Sequence, residues 1–123
     1  MHGSLEKIPV AFEQGEFVSR QATWGAMNIA FDQAPLGMDS RPLFHGLPGD
    51  ACQCPHWGYV ISGTMRVIYA DREEVIGAGE AYYLAPGHNV VCDEAGSIVE
   101  FSPVAEYRTT MEAVAARTTS PVS

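Results

Sequence analysis

YVISGTMRVIYA, Tyr59 to Ala70, holds two runs of β-branched and aromatic residues, Tyr59 to Ile61 and Thr64 to Ala70, divided by Ser62 and Gly63. Such runs fit a pleated, half-buried surface, and a Ser-Gly pair between them predicts two antiparallel strands joined by a tight glycine turn. The same punctuation continues downstream. Asp71, Arg72 and Glu73 turn the chain before Glu74 to Ile76, and Gly77-Ala78-Gly79-Glu80 turns it again before Ala81 to Leu84. Ala85-Pro86-Gly87 breaks that run, and Asn89 to Asp93 and Ser97 to Ser102 complete the series. Strands at roughly eight- to twelve-residue spacing, with no long helix between them, imply an all-β antiparallel barrel or sandwich.

Upstream, TWGAMNIAF from Thr23 to Phe31 reads as one strand, ended by Asp32. The turn-rich segment Ala34 to Pro42 and then Leu43 to Asp50 read as a long loop. Two short edge strands are expected around Val10 to Phe12 and Phe17 to Val18. After Pro103 the period changes: Val104, Tyr107, Met111, Val114 and Ala115 fall at helical spacing, with Pro103 suited to a first turn. The spacing predicts a helix over about 104–117, lying across the sheet, and a Thr/Ser-rich tail that frays. The expected organisation is one domain over 1–123, with a barrel core over about 23–103.

Composition agrees with this. Of 123 residues, 46% are apolar, enough to bury a core without staples, while 12 Gly and 8 Pro favour turns over long surface helices. Seven basic against fifteen acidic side chains leave a net charge of −8. That is the wrong sign for a phosphate backbone or an anionic lipid surface, so nucleic-acid and membrane partners are not expected. No apolar run approaches the roughly 20 residues that span a bilayer, and the N-terminus lacks a basic patch followed by an apolar stretch. The expected location is the cytoplasm. Three cysteines, two of them one residue apart, make a poor disulfide framework and point to thiol or metal chemistry instead.

Asp50-Ala-Cys52-Gln-Cys54-Pro-His56 places four candidate donors at alternate positions, so an extended chain sends all four side chains from one face. Thiolate and imidazole are donors that zinc and other first-row metals prefer. Cys52 and His56 would stand about 13 Å apart in a straight strand, so they can share an ion only where the strand bends. Pro55 and Gly58 are the residues expected at such a bend or bulge. His88, directly after Ala-Pro-Gly, supplies a distant further donor if the sheet closes. Cys92 sits among valines as a small buried hydrophobe, His45 reads as a surface residue, and His2 carries no signal. Trp57, Tyr59 and Ile61 leave the face opposite His56. With Tyr82 and Tyr83 they read as core or subunit-contact residues.

These residues resemble the motifs of a small single-domain cupin over about Leu43 to Pro103. That family is an antiparallel barrel with two motifs, His-x-His-x3-4-Glu-x6-Gly and Gly-x5-Pro-x-Gly-x2-His-x3-Asn. His56 followed at the right distance by Gly63 matches the Glu-x6-Gly half, with His56 in the glutamate's place, Cys52 in the second histidine's and Asp50 in the first's. In the second motif Gly79, Ala85, Gly87 and Val90 take the places of Gly, Pro, Gly and His, and Pro86 and His88 lie one and two residues from theirs. The Cys-x-Cys-Pro-His-Trp-Gly string is similar to an actinobacterial-type branch, for which the resemblance implies a jelly-roll barrel but no assigned reaction. Thiolates in place of imidazoles shift such a site toward softer metals and away from iron or manganese oxygenase chemistry.

The combined reading is a cupin barrel, homodimeric through its outer sheet face and N-terminal strand. It holds a divalent metal by His56, His88 and one or both of Cys52 and Cys54. Zinc is the first candidate, with iron or nickel behind it, and the partner is a small polar molecule in the barrel. A three-donor site leaves room for substrate and favours an enzyme; a closed four-donor zinc site favours a binding or structural module. A metal-free barrel with cysteines in its core is the third alternative.

Overall fold

The computed structural model describes residues 1–119. Along the chain run β1 (Val10–Gln14), β2 (Phe17–Trp24), β3 (Met27–Ala34), a single helical turn α1 (Arg41–Phe44), a 3-10 turn (Pro48–Asp50), β4 (His56–Ile68), β5 (Glu73–Gly77), β6 (Ala81–Leu84), β7 (Asn89–Pro103) and α2 (Val104–Thr119). The seven strands form one antiparallel sheet in the order β1-β2-β3-β7-β4-β5, with β6 also paired to β4. Long β4 and β7 are its spine. The first half of β4 lies between β7 and β6, and its second half between β7 and β5. Residues 37–40 bond to the start of β7, with Gly37 N donating to Cys92 O at 2.8 Å and Ser40 N to Val90 O at 2.9 Å. The result is an antiparallel barrel with a C-terminal helix.

Val60, Met65, Val67, Ile76, Tyr82 and Leu84 form one buried cluster between β4, β5 and β6. Removing each such side chain from water is worth about 1.5–3 kcal/mol, which ties the short β5 and β6 to the spine. A second cluster of Phe44, Cys52, Cys54 and Val114, flanked by Leu43, Leu47 and Tyr107, seats α2. Its first turn is fixed by Val104 N donating to Ala26 O at 2.9 Å and by Gln21 Nε2 donating to Tyr107 Oη at 2.8 Å. Thr110 is buried on the packed face, where the spacing had placed Ala115, which is exposed. The Thr/Ser-rich tail, expected to fray, lies from residue 120 outside the described residues.

Several strand boundaries depart from the sequence reading. Ser62 and Gly63 do not turn the chain: β4 runs straight through them as a bulge, with register shifts between Val60 and Met65. Gly63 has φ +83°, which only glycine takes without strain, and that requirement is common to a tight turn and to a bulge. Asn89 to Ser102 is likewise one strand, because Gly96 lies directly against the bulge. A Cβ there would stand 2.0 Å from Ser62 O. The expected strand over 23–31 is instead a hairpin: Gly25, at φ +61°, turns β2 into β3 between Trp24 and Met27. The sheet starts at Val10, ahead of residue 23, and the long loop contains the two short helical turns. Among the described residues no helix is long and apolar enough to cross a membrane.

The bulge also changes which residues face inward. Before it the even positions His56 and Val60 are buried; after it the odd positions Met65 and Val67 are. Trp57, Tyr59 and Ile61 face outward, each 44–45% exposed, and Trp57 is flanked across the strands by Tyr83 and Phe101.

Candidate metal centre

The chain reaches the site by way of a bend. Residues 53–55 leave the extended conformation, so β4 begins only at His56, and Cys52 instead pairs with His88 in an isolated bridge. Cys52 N donates to His88 O at 2.9 Å and Gly87 N to Cys52 O at 2.8 Å. The bend brings His56 Nε2 to 3.6 Å from Cys52 Sγ, against the roughly 13 Å backbone separation of a straight strand. The two imidazole centroids are 5.0 Å apart. One ligand atom each from Cys52, His56 and His88 lies within 4.8 Å of the others, and all three residues are buried.

The ring nitrogens of His88 are assigned by their surroundings, and His56 Nδ1 has its own polar partner. His88 Nδ1 lies 2.7 Å from Ala85 O, and a carbonyl only accepts, so Nδ1 carries the proton and Nε2 keeps its lone pair. His56 Nδ1 lies 2.6 Å from Ser102 Oγ and 3.6 Å from Glu100 Oε2, again leaving Nε2 toward Cys52. Partners behind the coordinating nitrogen are what hold a ligand imidazole in one tautomer and orientation. Burial pushes both imidazoles down to about 4, so they are neutral donors at ordinary pH. Burial pushes the Cys52 thiol up to about 11.

Cys54 stands apart. Its thiol donates to Pro55 O at 3.4 Å and packs in the cluster under α2, where burial and the neighbouring Cys52 push it up to about 12. Asp50 does not share a face with Cys52: it closes the 3-10 turn with φ +53°, exposed, its Oδ1 accepting from Gly46 N at 2.8 Å. His45 is exposed beside it, with Nδ1 at 3.6 Å from Asp50 Oδ1. Cys92 is buried, its thiol donating to Glu94 O at 3.0 Å.

Two groups not singled out in the sequence belong to this region. Glu100 points inward from β7 beside His56 and accepts from Tyr82 Oη at 2.8 Å. Asp32 points inward from β3, opposite Ile98 and one diagonal from Glu100. Burial raises both carboxyls well above the usual carboxylate range, and the Glu100 charge raises Asp32 further. The three donors and both carboxyls open onto one cavity of about 690 Å³.

A jelly-roll of two long strands, with donors gathered inside it from the strand that follows the bend and from the turn before β7, has the cupin fold. Solved structures agree. An RmlC-like cupin from Shewanella frigidimarina superposes with a TM-score of 0.61 at 14% identity, covering 82% of this chain and 87% of that one. A cupin 2 conserved barrel domain protein from Salinispora arenicola gives a TM-score of 0.60 at 17% identity, over 95% and 97%. An oxalate decarboxylase variant from Bacillus subtilis gives 0.58 at 15% identity, with 83% of this chain matched to 30% of that longer one. No protein-family model matches the chain, and no curated protein matches it in sequence.

Proposed function

We propose that Cys52 Sγ, His56 Nε2 and His88 Nε2 hold one divalent metal whose remaining position faces the cavity, and that a small molecule bound there is the substrate. The observation that carries this reading is the convergence of those three atoms, from two separate segments, on one buried point beside an open cavity. One thiolate and two imidazoles suit zinc best, with iron or nickel next. A closed Cys2His2 site would need the Cys54 thiol, which is not among the three ligand groups that lie within 4.8 Å of one another. In a three-donor site the metal supplies a Lewis acid for a carbonyl or an acidified water. The chain's own part is to fix the imidazoles through Ala85 O and Ser102 Oγ. It also sets the Glu100 carboxyl 3.6 Å from His56 Nδ1, a nearby charge rather than a hydrogen-bond partner. Elemental analysis of protein purified without chelator tests this: one metal per chain supports it, and none refutes it.

Proton release on binding gives a second test. Both imidazoles are already neutral above about pH 5, whereas the Cys52 thiol must lose its proton. Zinc affinity should therefore rise about tenfold per pH unit across neutrality, one proton being displaced, with no inflection at the usual imidazole value near 6.5. A calorimetric titration in buffers of different ionisation enthalpy counts the protons. Two or more released at pH 7.5 would contradict it.

We also propose that the outer aromatic row seats a second copy of this chain. Trp57, Tyr59, Ile61, Tyr83 and Phe101 lie on three adjacent strands, and Trp57 and Tyr83 already stack at 5.2 Å. Such a contiguous apolar face is more than isolated surface side chains. Sedimentation at micromolar concentration should give a two-chain particle, and Trp57→Glu should return it to one chain. A monomer before any substitution would refute the interface.

A further inference from the structure

The cavity wall has an unbalanced charge. It carries the carboxyls of Glu16, Asp32, Asp39, Glu94 and Glu100, and among the described lining residues there is no Lys or Arg. Arg41 neutralises Asp39, with Nη2 at 2.7 Å, and the Thr64 hydroxyl occupies Glu94 Oε1. Asp32 and Glu100 have no such cation. Glu100 spends Oε1 on Tyr82 Oη, but Asp32 Oδ1 is buried with no hydrogen-bond partner at all. An orphaned buried acceptor costs on the order of 1–3 kcal/mol, more when charged, unless something arrives to satisfy it. The remaining wall is largely apolar, including Phe12, Phe17, Leu36, Met38 and Phe44.

Resting on the metal-site reading above and naming its substrate class, we infer that the cavity takes a small apolar amine, whose ammonium pairs with the carboxyls of Asp32 and Glu100 while its hydrocarbon part lies against the phenylalanines. An ammonium between Asp32 and Glu100 offsets the repulsion of two inward carboxyls, of which Asp32 has the Ser19 hydroxyl as a hydrogen-bond partner. Away from the metal, a carboxylate or phosphate group would meet those same carboxyls with no cationic side chain to hold it. The chain's net charge of −8 favours approach of a cation over an anion of equal size.

The test uses three probes of similar shape: 2-phenylethylamine, 2-phenylethanol and phenylacetate. Each is titrated by calorimetry or NMR into protein as purified and into chelator-treated protein, with metal content measured on the same samples. The amine should bind at least about tenfold more tightly than phenylacetate in both, and Asp32→Asn should abolish that preference without changing metal content. The three-probe comparison needs no variant, so it decides the matter even if Asp32→Asn fails to fold. Phenylacetate binding as well as the amine, no amine binding at millimolar concentration, or an unchanged preference in a folded Asp32→Asn protein would each overturn the inference. A metal-free protein that prefers the amine would refute only the metal reading. A loaded protein that prefers phenylacetate would refute only this one.

Discussion

His56→Ala should leave the purified protein with almost none of the metal that the unmodified chain carries. On the proposed assignment the ring supplies one of three donors, with its Nε2 3.6 Å from Cys52 Sγ. Loss of a residue that merely orients a ligand costs about 10–100-fold in metal affinity, and loss of the ligand should cost more. The cysteines separate the alternatives further. Cys52→Ala should behave like His56→Ala, whereas Cys54→Ala and Cys92→Ala should keep full stoichiometry and lose only packing, about 1 kcal/mol each. Full metal content in His56→Ala would remove the assignment, and loss of metal in Cys54→Ala would restore a four-donor site.

The largest effect on stability is expected at Gly96. An added Cβ would stand 2.0 Å from Ser62 O, 2.4 Å from Ser62 C and 2.7 Å from Gly63 Cα. All three are backbone atoms, so no side chain can swing aside, and the two spine strands would have to part where they pair. Overpacking of this kind costs about 3 kcal/mol or more. For a chain of this size Gly96→Ala should lower the melting temperature by roughly 10 °C or more, read by circular dichroism. A shift within about 2 °C would show that the bulge is not the rigid junction described here.

Much of the site could be read from spacing alone, because a donor series ending in a proline carries its own instruction to bend. Cys52, His56 and His88 come together at that bend without Cys54, their hold on a metal being the proposal above, and the helix after Pro103 follows from its period. The strand ends were harder. Ser62-Gly63 was read as a turn because a hairpin and a bulge both ask for a glycine at positive φ; what separates them is Gly96 on a strand more than thirty residues away. Asp32 and Glu100 were hidden for another reason. Around the site the outer face is the more apolar one, with Trp57, Tyr59, Val99 and Phe101, while His56, Glu100 and Ser102 point in. A period of two shows that a strand has two faces, not which of them is inside. A charged residue alternating with aromatics therefore looks like a solvated one.

The bulge at Ser62 and Gly63 behaves like a change of reading frame within one strand. Upstream of it the even-numbered residues of β4 furnish the chemistry; downstream the odd-numbered ones furnish the packing. Straightening the bulge with Gly63 still in the chain would keep every residue yet turn the second half over. Thr64, Arg66 and Ile68 would face the interior, and Met65 and Val67 would face solvent. Arg66, which now reaches Asp93 at 3.1 Å outside, would place a guanidinium in a wall that has no cation. A one-residue deletion at the bulge would thus leave Val60 and Met65 four residues apart and on one face, whereas loss of the bulge without a deletion would change the chemical character of the wall.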